Sequence, residues 1–366
     1  MKLVCSGICL ADAALTVAKA CAVKTIKPVL ECIKIEAKND VLTLSAYDGE
    51  IYIEKKMVAD VLEEGEICVN GKFFADFVNK IDEINLVLET VENGLIIKYG
   101  DSKTKIQTLS ASDFPTVGGA TGDEYFELKE KELKNLIAKT VFCAATEDSR
   151  PILKGCLIES NGDTITATAL DGFRMAVTQV SAEQGSGNMK IVCPARTLIE
   201  ISRMIEGGDE YVRLYVTKNT LSVKVKETIL TSRLYVGEFV RKENIFPVEF
   251  GTVVKVNKAT LLDSVERASV LIRGDKNNLI VFDIKQNGIF ITANSEIGNV
   301  AETVEAEVLG GELKIAMNGK FLSDALKALD EEEVRISFNT EISPFTLENK
   351  EDKSSSYLIL PVRIGG

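Results

Sequence analysis

The sequence predicts an α+β fold made of three tandem copies of one domain, each with two amphipathic helices packed on antiparallel strands. Three observations predict it. Asn70-Gly71-Lys72-Phe73 returns 248 residues later as Asn318-Gly319-Lys320-Phe321, and half that step lands on Ala195 in Val192-Cys193-Pro194-Ala195-Arg196. Ala46 in LTLSAYDGE, Ala169 in ITATALDGF and Ala293 in IFITANSEI are spaced by 123 and 124 residues. The order of helical and alternating segments is the same in each third of the chain. A period near 124 is too long for a solenoid unit and has the size of a domain. The 366 residues therefore divide as 1–120, 121–248 and 249–366.

Each copy opens with an amphipathic helix, at 10–21, 129–143 and 257–270. Leu10, Ala14, Val17 and Ala18 share one face, as do Leu133, Leu136, Ile137 and Val141. Asn257 is placed to cap the third. Two strands follow in each copy, with turns at Asn39-Asp40, Asn161-Gly162 and Asn287-Gly288, all of hairpin chemistry. Next, a strand runs straight into a second helix, at 72–80, 195–206 and 319–329. Asn70, Pro194 and Asn318 precede these helices; Asn caps a helix, and Pro favours its first turn. Phe74, Phe77 and Ile81 are matched by Leu198, Ile201 and Ile205 and by Leu322, Ala325 and Leu329, a core stripe at helical spacing. An antiparallel run closes each copy, with turns at Gly100-Asp101 and Lys218-Asn219 in the first two. Linkers are expected near Pro115–Asp123, with Gly118, Gly119 and Gly122, and near Arg241–Gly251. The polar stretch Asn349–Ser356 reads as a loop.

Composition excludes several classes. No apolar run is long enough to span a membrane. The N-terminus carries one Lys and Asp12 interrupts its apolar stretch, so it reads as a strand entering a helix and not as a signal peptide. Eight Cys are scattered with no CxxC pair, which is neither a disulfide framework nor a zinc site, and suits a reducing cytosol. The chain has no His, which removes Ser-His-Asp and Cys-His catalysis and His-ligated metals. No metal or cofactor is expected. The best polar pair for an enzyme is Asp171 with Arg174, but no phosphate-binding loop or metal cluster accompanies it.

Net charge is −12. An acidic chain does not attract nucleic acid indiscriminately, so any basic surface has to be segregated. The six helices sum to about +4 with approximate ends, which leaves −16 for the rest. The matched positions Lys72, Arg196 and Lys320 are basic in all three copies. Helices sharing one face would make a weakly positive surface suited to sequence-independent phosphate contact.

Several segments carry a family resemblance. IQTLSASDFP, SRPILKGCLIE, TATALDGFRMAV and the terminal YLILPVRI occur in order along a threefold repeat of 366 residues. Together they resemble the bacterial DNA polymerase III beta subunits, the sliding clamps, over the whole chain. The resemblance implies three clamp-type domains per chain and a head-to-tail homodimeric ring. Its helices would line the hole and its sheets would face outward. Such a ring is non-catalytic, encircles double-stranded DNA without sequence preference and tethers a polymerase. The resemblance also implies partners that dock through short linear motifs: the DNA polymerase III catalytic subunit, the clamp loader, repair polymerases and mismatch-repair proteins. Positions matching the family's peptide pocket are Leu153, Leu170, Gly172, Phe173, Arg174, Met175, Pro247, Pro344, Leu358, Leu360, Pro361, Val362 and Arg363. An apolar cleft with Gly for close approach and Arg at its rim fits a peptide groove. DNA-facing positions carried over are Lys24 and Arg150, with Lys276 as their repeat equivalent. For the dimer seam the family pattern pairs Thr104 and Ile106 with Val270 and Leu271.

Two departures stand out. Phe173 occupies a position where clamps commonly have His, and Phe239-Val240-Arg241-Lys242-Glu243 replaces a Phe-Pro-Asp-Tyr pattern. Apart from the resemblance, LDGFRMA reads equally as a tight turn between strands, and LILPVR as an edge strand ended by Pro. A clamp-like scaffold that binds proteins but not DNA is the alternative reading.

Overall fold

The computed structural model describes residues 1–119, 124–182, 184–185, 188–240, 245–274 and 278–363. Lys276, Gly122, Arg241, Lys242, Glu243 and the last three residues lie outside the described residues. Six α-helices are found among those described: α1 (Gly7–Val17), α2 (Gly71–Val78), α3 (Glu130–Ala138), α4 (Ala195–Met204), α5 (Lys258–Leu271) and α6 (Gly319–Ala328).

The caps follow from side-chain chemistry. Asn70 Oδ1 accepts from Phe73 N at 3.0 Å, Asn257 Oδ1 from Thr260 N at 3.0 Å, and Asn318 Oδ1 from Lys320 N at 2.9 Å. Pro194 precedes its helix as Asn70 and Asn318 do. It ends the strand Asn188–Pro194 and stands just before α4. α1 begins three residues early because Ser6 Oγ caps Cys9 N, and its last turn tightens into a 3-10 turn at Ala18–Ala20. α3 is shorter than 129–143. Thr140 leaves helical geometry at φ −124°, and the chain resumes as a 3-10 turn at Val141–Cys143.

Gly opens α2 and α6 for a packing reason. A Cβ at residue 71 would lie 2.3 Å from Cys21 Sγ, and one at 319 would lie 2.7 Å from Ser269 Oγ. α2 thus starts hard against the segment leaving α1, and α6 against the last turn of α5, which is why Asn-Gly-Lys-Phe occurs twice. The core stripe holds in copies two and three, where Leu198, Ile201, Ile205, Leu322, Ala325 and Leu329 are buried. Copy one departs from it. Phe74, Ala75 and Val78 are buried there, while Phe77 is half-buried and stacks on Phe73 at 5.8 Å and on the Tyr99 edge at 6.1 Å.

The chain forms two compact units, and their boundary does not follow the repeat. One holds residues 1–127, 203–206 and 210–234; the other holds 128–202, 207–209 and 235–366. The reason is strand pairing across copies. In the first unit Ile51–Val58 pairs with Thr228–Arg233, so the sheet of copy one continues into strands of copy two. In the second, Arg174–Ser181 pairs with Ser355–Ile359, which joins copies two and three in one 12-stranded antiparallel sheet. Ser355–Ile359 is therefore an interior strand, flanked on its other side by Phe345–Asn349, and not an edge. The polar loop is correspondingly short. Ser355 and Ser356 are already in the ladder, paired to Thr178 and Val177.

Candidate functional site

The hairpin Thr164–Leu170 and Arg174–Ser181 closes at Leu170 opposite Met175. Its turn is built by Asp171. Oδ1 accepts from Phe173 N at 2.9 Å and from Arg174 N at 3.0 Å, and Gly172 takes φ +97°. Copy one makes the same turn. Asp48 Oδ1 accepts from Glu50 N and Ile51 N, and Gly49 has φ +103°. Asp and Gly are thus repeat chemistry, and what distinguishes copy two is Phe173 and Arg174 in place of Glu50 and Ile51.

Phe173 is 62% exposed, a large apolar ring held out on a rigid turn. Behind it lies an apolar floor of Leu153, Leu157, Leu170, Met175, Val192, Phe239 and Leu358, all buried. Leu360, Phe246 and Ile152 pack on that floor and stay partly accessible. The C-terminal tail is fixed at two points: Leu360 N donates to Phe173 O at 2.8 Å, and Val362 N donates to Ala316 O at 2.8 Å. Pro247, Pro344, Pro361 and Val362 are half-buried, and Arg363 is exposed. The arrangement offers an apolar floor, an exposed aromatic and a rim with few polar groups. That can hold apolar side chains of a peptide.

Arg174 is not at the rim. Its side chain is 10% exposed. Nε donates to Asp171 Oδ2 at 3.0 Å, Nη1 to Asp324 Oδ2 at 2.7 Å and Nη2 to Phe142 O at 2.8 Å. The guanidinium carbon lies 4.4 Å from the Phe321 ring centre and 5.5 Å from that of Phe142. Burial alone would lower its pKa, but Cys143, Asp324 and Asp171 outweigh that and raise it, so the charge is kept. The physical reason for its direction is that a buried cation needs carboxylates, and these lie inward on α6. Asp324, Phe321 and Phe142 were not legible as site residues. A signal existed for Asp324: Asp76, Glu200 and Asp324 form an acidic column at the repeat spacing.

The basic candidates among the described residues are all on the surface. Lys24, Lys72, Arg150, Arg196 and Lys320 are exposed, and Lys276 lies outside the described residues. The α3 share of the helix charge is smaller than the count suggests. Lys131 pairs with Asp209 at 2.6 Å, Lys129 lies 3.7 Å from the same carboxylate, and Lys139 is buried against Asp330. Those lysines serve the fold, whereas Lys72 and Lys320 have no ion pair among the described residues.

For the seam, Thr104 and Ile106 lie in Ser102–Leu109. This strand pairs along one side with Gly94–Tyr99, but on the other only through Thr108 and Leu109. Its first six residues form an open edge among the described residues. Ile106 is 6% exposed, so its backbone, and not its side chain, faces that edge. Val270 is 63% exposed at the end of α5 and Leu271 is half-buried. In Gly298–Gly310, residues 298–305 pair among the described residues with Gly288–Ser295 only, which leaves a second open edge there.

Among the described residues no cluster of His, Cys, Asp and Glu could hold a metal, and no helix is long and apolar enough to cross a membrane.

Comparison with known proteins covers the whole chain. Residues 1–118, 127–240 and 243–363 match, in order, the N-terminal, central and C-terminal domains of the DNA polymerase III beta subunit. Beta sliding clamps of Staphylococcus epidermidis and Staphylococcus aureus are each 32% identical over 358 residues, 94% of either chain. The Bacillus subtilis DNA polymerase sliding clamp superposes with a TM-score of 0.95 at 29% identity over all of both chains. A Pseudomonas aeruginosa sliding clamp bound to griselimycin gives 0.92 at 26% over the same coverage.

Proposed function

Because the chain belongs to the DNA polymerase III beta subunit family, the bacterial sliding clamps, we propose that it works as a cytoplasmic homodimeric ring. The ring encircles duplex DNA and makes the replicative polymerase processive. The observation that carries this is the ordered match of all three clamp domains along one chain. A ring needs no strong affinity for DNA, because topological linkage prevents escape. Scattered Lys and Arg contacts to phosphate, weakened by salt, then permit sliding. Lys24, Lys72, Arg150, Arg196, Lys276 and Lys320 are proposed for that role. The ring does no chemistry of its own, and opening it falls to a separate clamp loader.

The seam is proposed between the open edge at Ser102–Gln107 of one copy and the 298–305 edge of another, with Val270 and Leu271 beside it. Exposed Phe73, stacked on Phe77, which in turn meets the Tyr99 edge, favours the same end of copy one as an interface, since it leaves an aromatic patch uncovered. Partners are proposed to dock apolar motif residues on the floor under Phe173. The griselimycin-bound relative supports a ligand site in this family, and griselimycin is the probe for it here. Sedimentation tests the assembly: the mass should be twice 39.9 kDa, and Val270→Glu with Leu271→Glu should shift it to the monomer. A native monomer, or a double variant that stays dimeric, contradicts the proposed seam.

A further inference from the structure

Arg174 belongs to the candidate pocket by sequence, yet its guanidinium is spent inside the protein. Three of its nitrogens donate to Asp171, Asp324 and Phe142, and aromatic rings flank it. A docked peptide would find few of its donors free. Two of the groups that hold it, Asp324 and Phe321, sit on α6 in the third copy, about one helical turn apart.

We propose that Asp324 and Phe321 are positioning residues of the partner site. They fix the 171–174 turn through Arg174 and so hold Phe173 and the Phe173 carbonyl in place. The inference rests on the reading of this pocket as the peptide site. The geometry that carries it is a single chain of contacts: α6 carboxylate to guanidinium, guanidinium to Asp171, Asp171 to the Phe173 and Arg174 amides, and Phe173 O to Leu360 N. The turn is shared with copy one, where Glu50 and Ile51 stand in place of Phe173 and Arg174 and the hairpin closes on the Tyr47–Tyr52 pair, with no Arg in the turn. The tether to α6 is therefore an addition specific to the copy that carries the site. Lys cannot replace Arg174, because it lacks the planar fork and the stacking face.

The chain contains no Trp, so Phe173→Trp places a single tryptophan on the turn, excited selectively over the eight Tyr. Asp324→Asn keeps the shape and removes the charge; Phe321→Leu removes the ring and serves if the first variant does not fold. Lys327→Ala, on the same helix but paired with Glu266, is the control. Griselimycin affinity is measured with Phe173 intact, and acrylamide quenching and anisotropy in the Phe173→Trp background. Asp324→Asn or Phe321→Leu should weaken griselimycin about tenfold, raise quenching and lower anisotropy, and Asp324→Glu should restore part of each. Lys327→Ala should leave all three unchanged. Unchanged quenching and affinity in both α6 variants overturn the proposal, as does an equal loss in Lys327→Ala. If the unsubstituted protein binds no griselimycin, the peptide-site reading falls, and quenching alone decides whether α6 holds the turn.

Discussion

Phe173 and Arg174 are neighbours with opposite fates, and the difference is electrostatic. An apolar ring on a turn can stay exposed at modest cost, whereas a guanidinium drawn under aromatic rings must find carboxylates. Phe173→Ala should therefore leave the unfolding midpoint nearly unchanged and weaken griselimycin by about tenfold or more, as for an exposed aromatic anchor. Equal affinity in a titration would remove Phe173 from the site. Asp171, Gly172 and Phe173 were legible because a turn signature is local. The fate of Arg174 was not, because its partner Asp324 lies 150 residues away. Titration is also a residue-scale property. Hydrogen bonds from Arg267 lower the Glu302 pKa, and backbone amides of Asp352 and Glu351 lower that of Glu331. Such groups add stability above the ordinary glutamate value of 4.5 and lose it as pH falls through their folded values. Burial pushes the Cys5, Cys21 and Cys156 thiols up to about 12. With no His in the chain, the melting temperature should be flat between about pH 5.5 and 8 and drop below about pH 4.5. A step near pH 6.5 would contradict this.

At the scale of elements, periodicity and capping carried most of the reading. All six helices overlap the spans that spacing predicts, and Asn caps α2, α5 and α6. The misreadings have tertiary causes. α3 stops early and its Lys139 turns inward to Asp330; the copy-one stripe rotates because Phe77 joins Phe73 and Tyr99. Ser355 and Ser356 look like loop by polarity, yet they are ladder residues between two strands. The repeated Gly tests the packing at the helix starts. Gly71→Ala should destabilise by about 1–3 kcal/mol through overpacking against Cys21, with a helix-propensity gain of at most about 1 kcal/mol in return. A urea midpoint equal to or above that of the parent would show that the close approach at Gly71 is not needed.

At the scale of the whole molecule the repeat builds the body and its breaks carry the specific chemistry. Three copies share the paired helices and hairpins, copies one and three share the Asn cap, and copies one and two share the Asp-Gly turn. The exposed aromatic and the α6 tether belong to copies two and three, and the uncovered Phe73 patch to copy one. The domain count was legible because a domain-length period is visible in one chain. The merging of sheets across copies was not, since pairing between Ile51–Val58 and Thr228–Arg233 leaves no local trace. In the proposed ring, function comes from linkage to DNA and not from affinity. The decisive measurement loads the protein onto nicked circular DNA with a clamp loader, linearises half the sample, and reads the protein retained at high salt. Linkage requires retention on the circle and loss from the linear molecule. Equal loss from both, or equal retention on both, would rule linkage out.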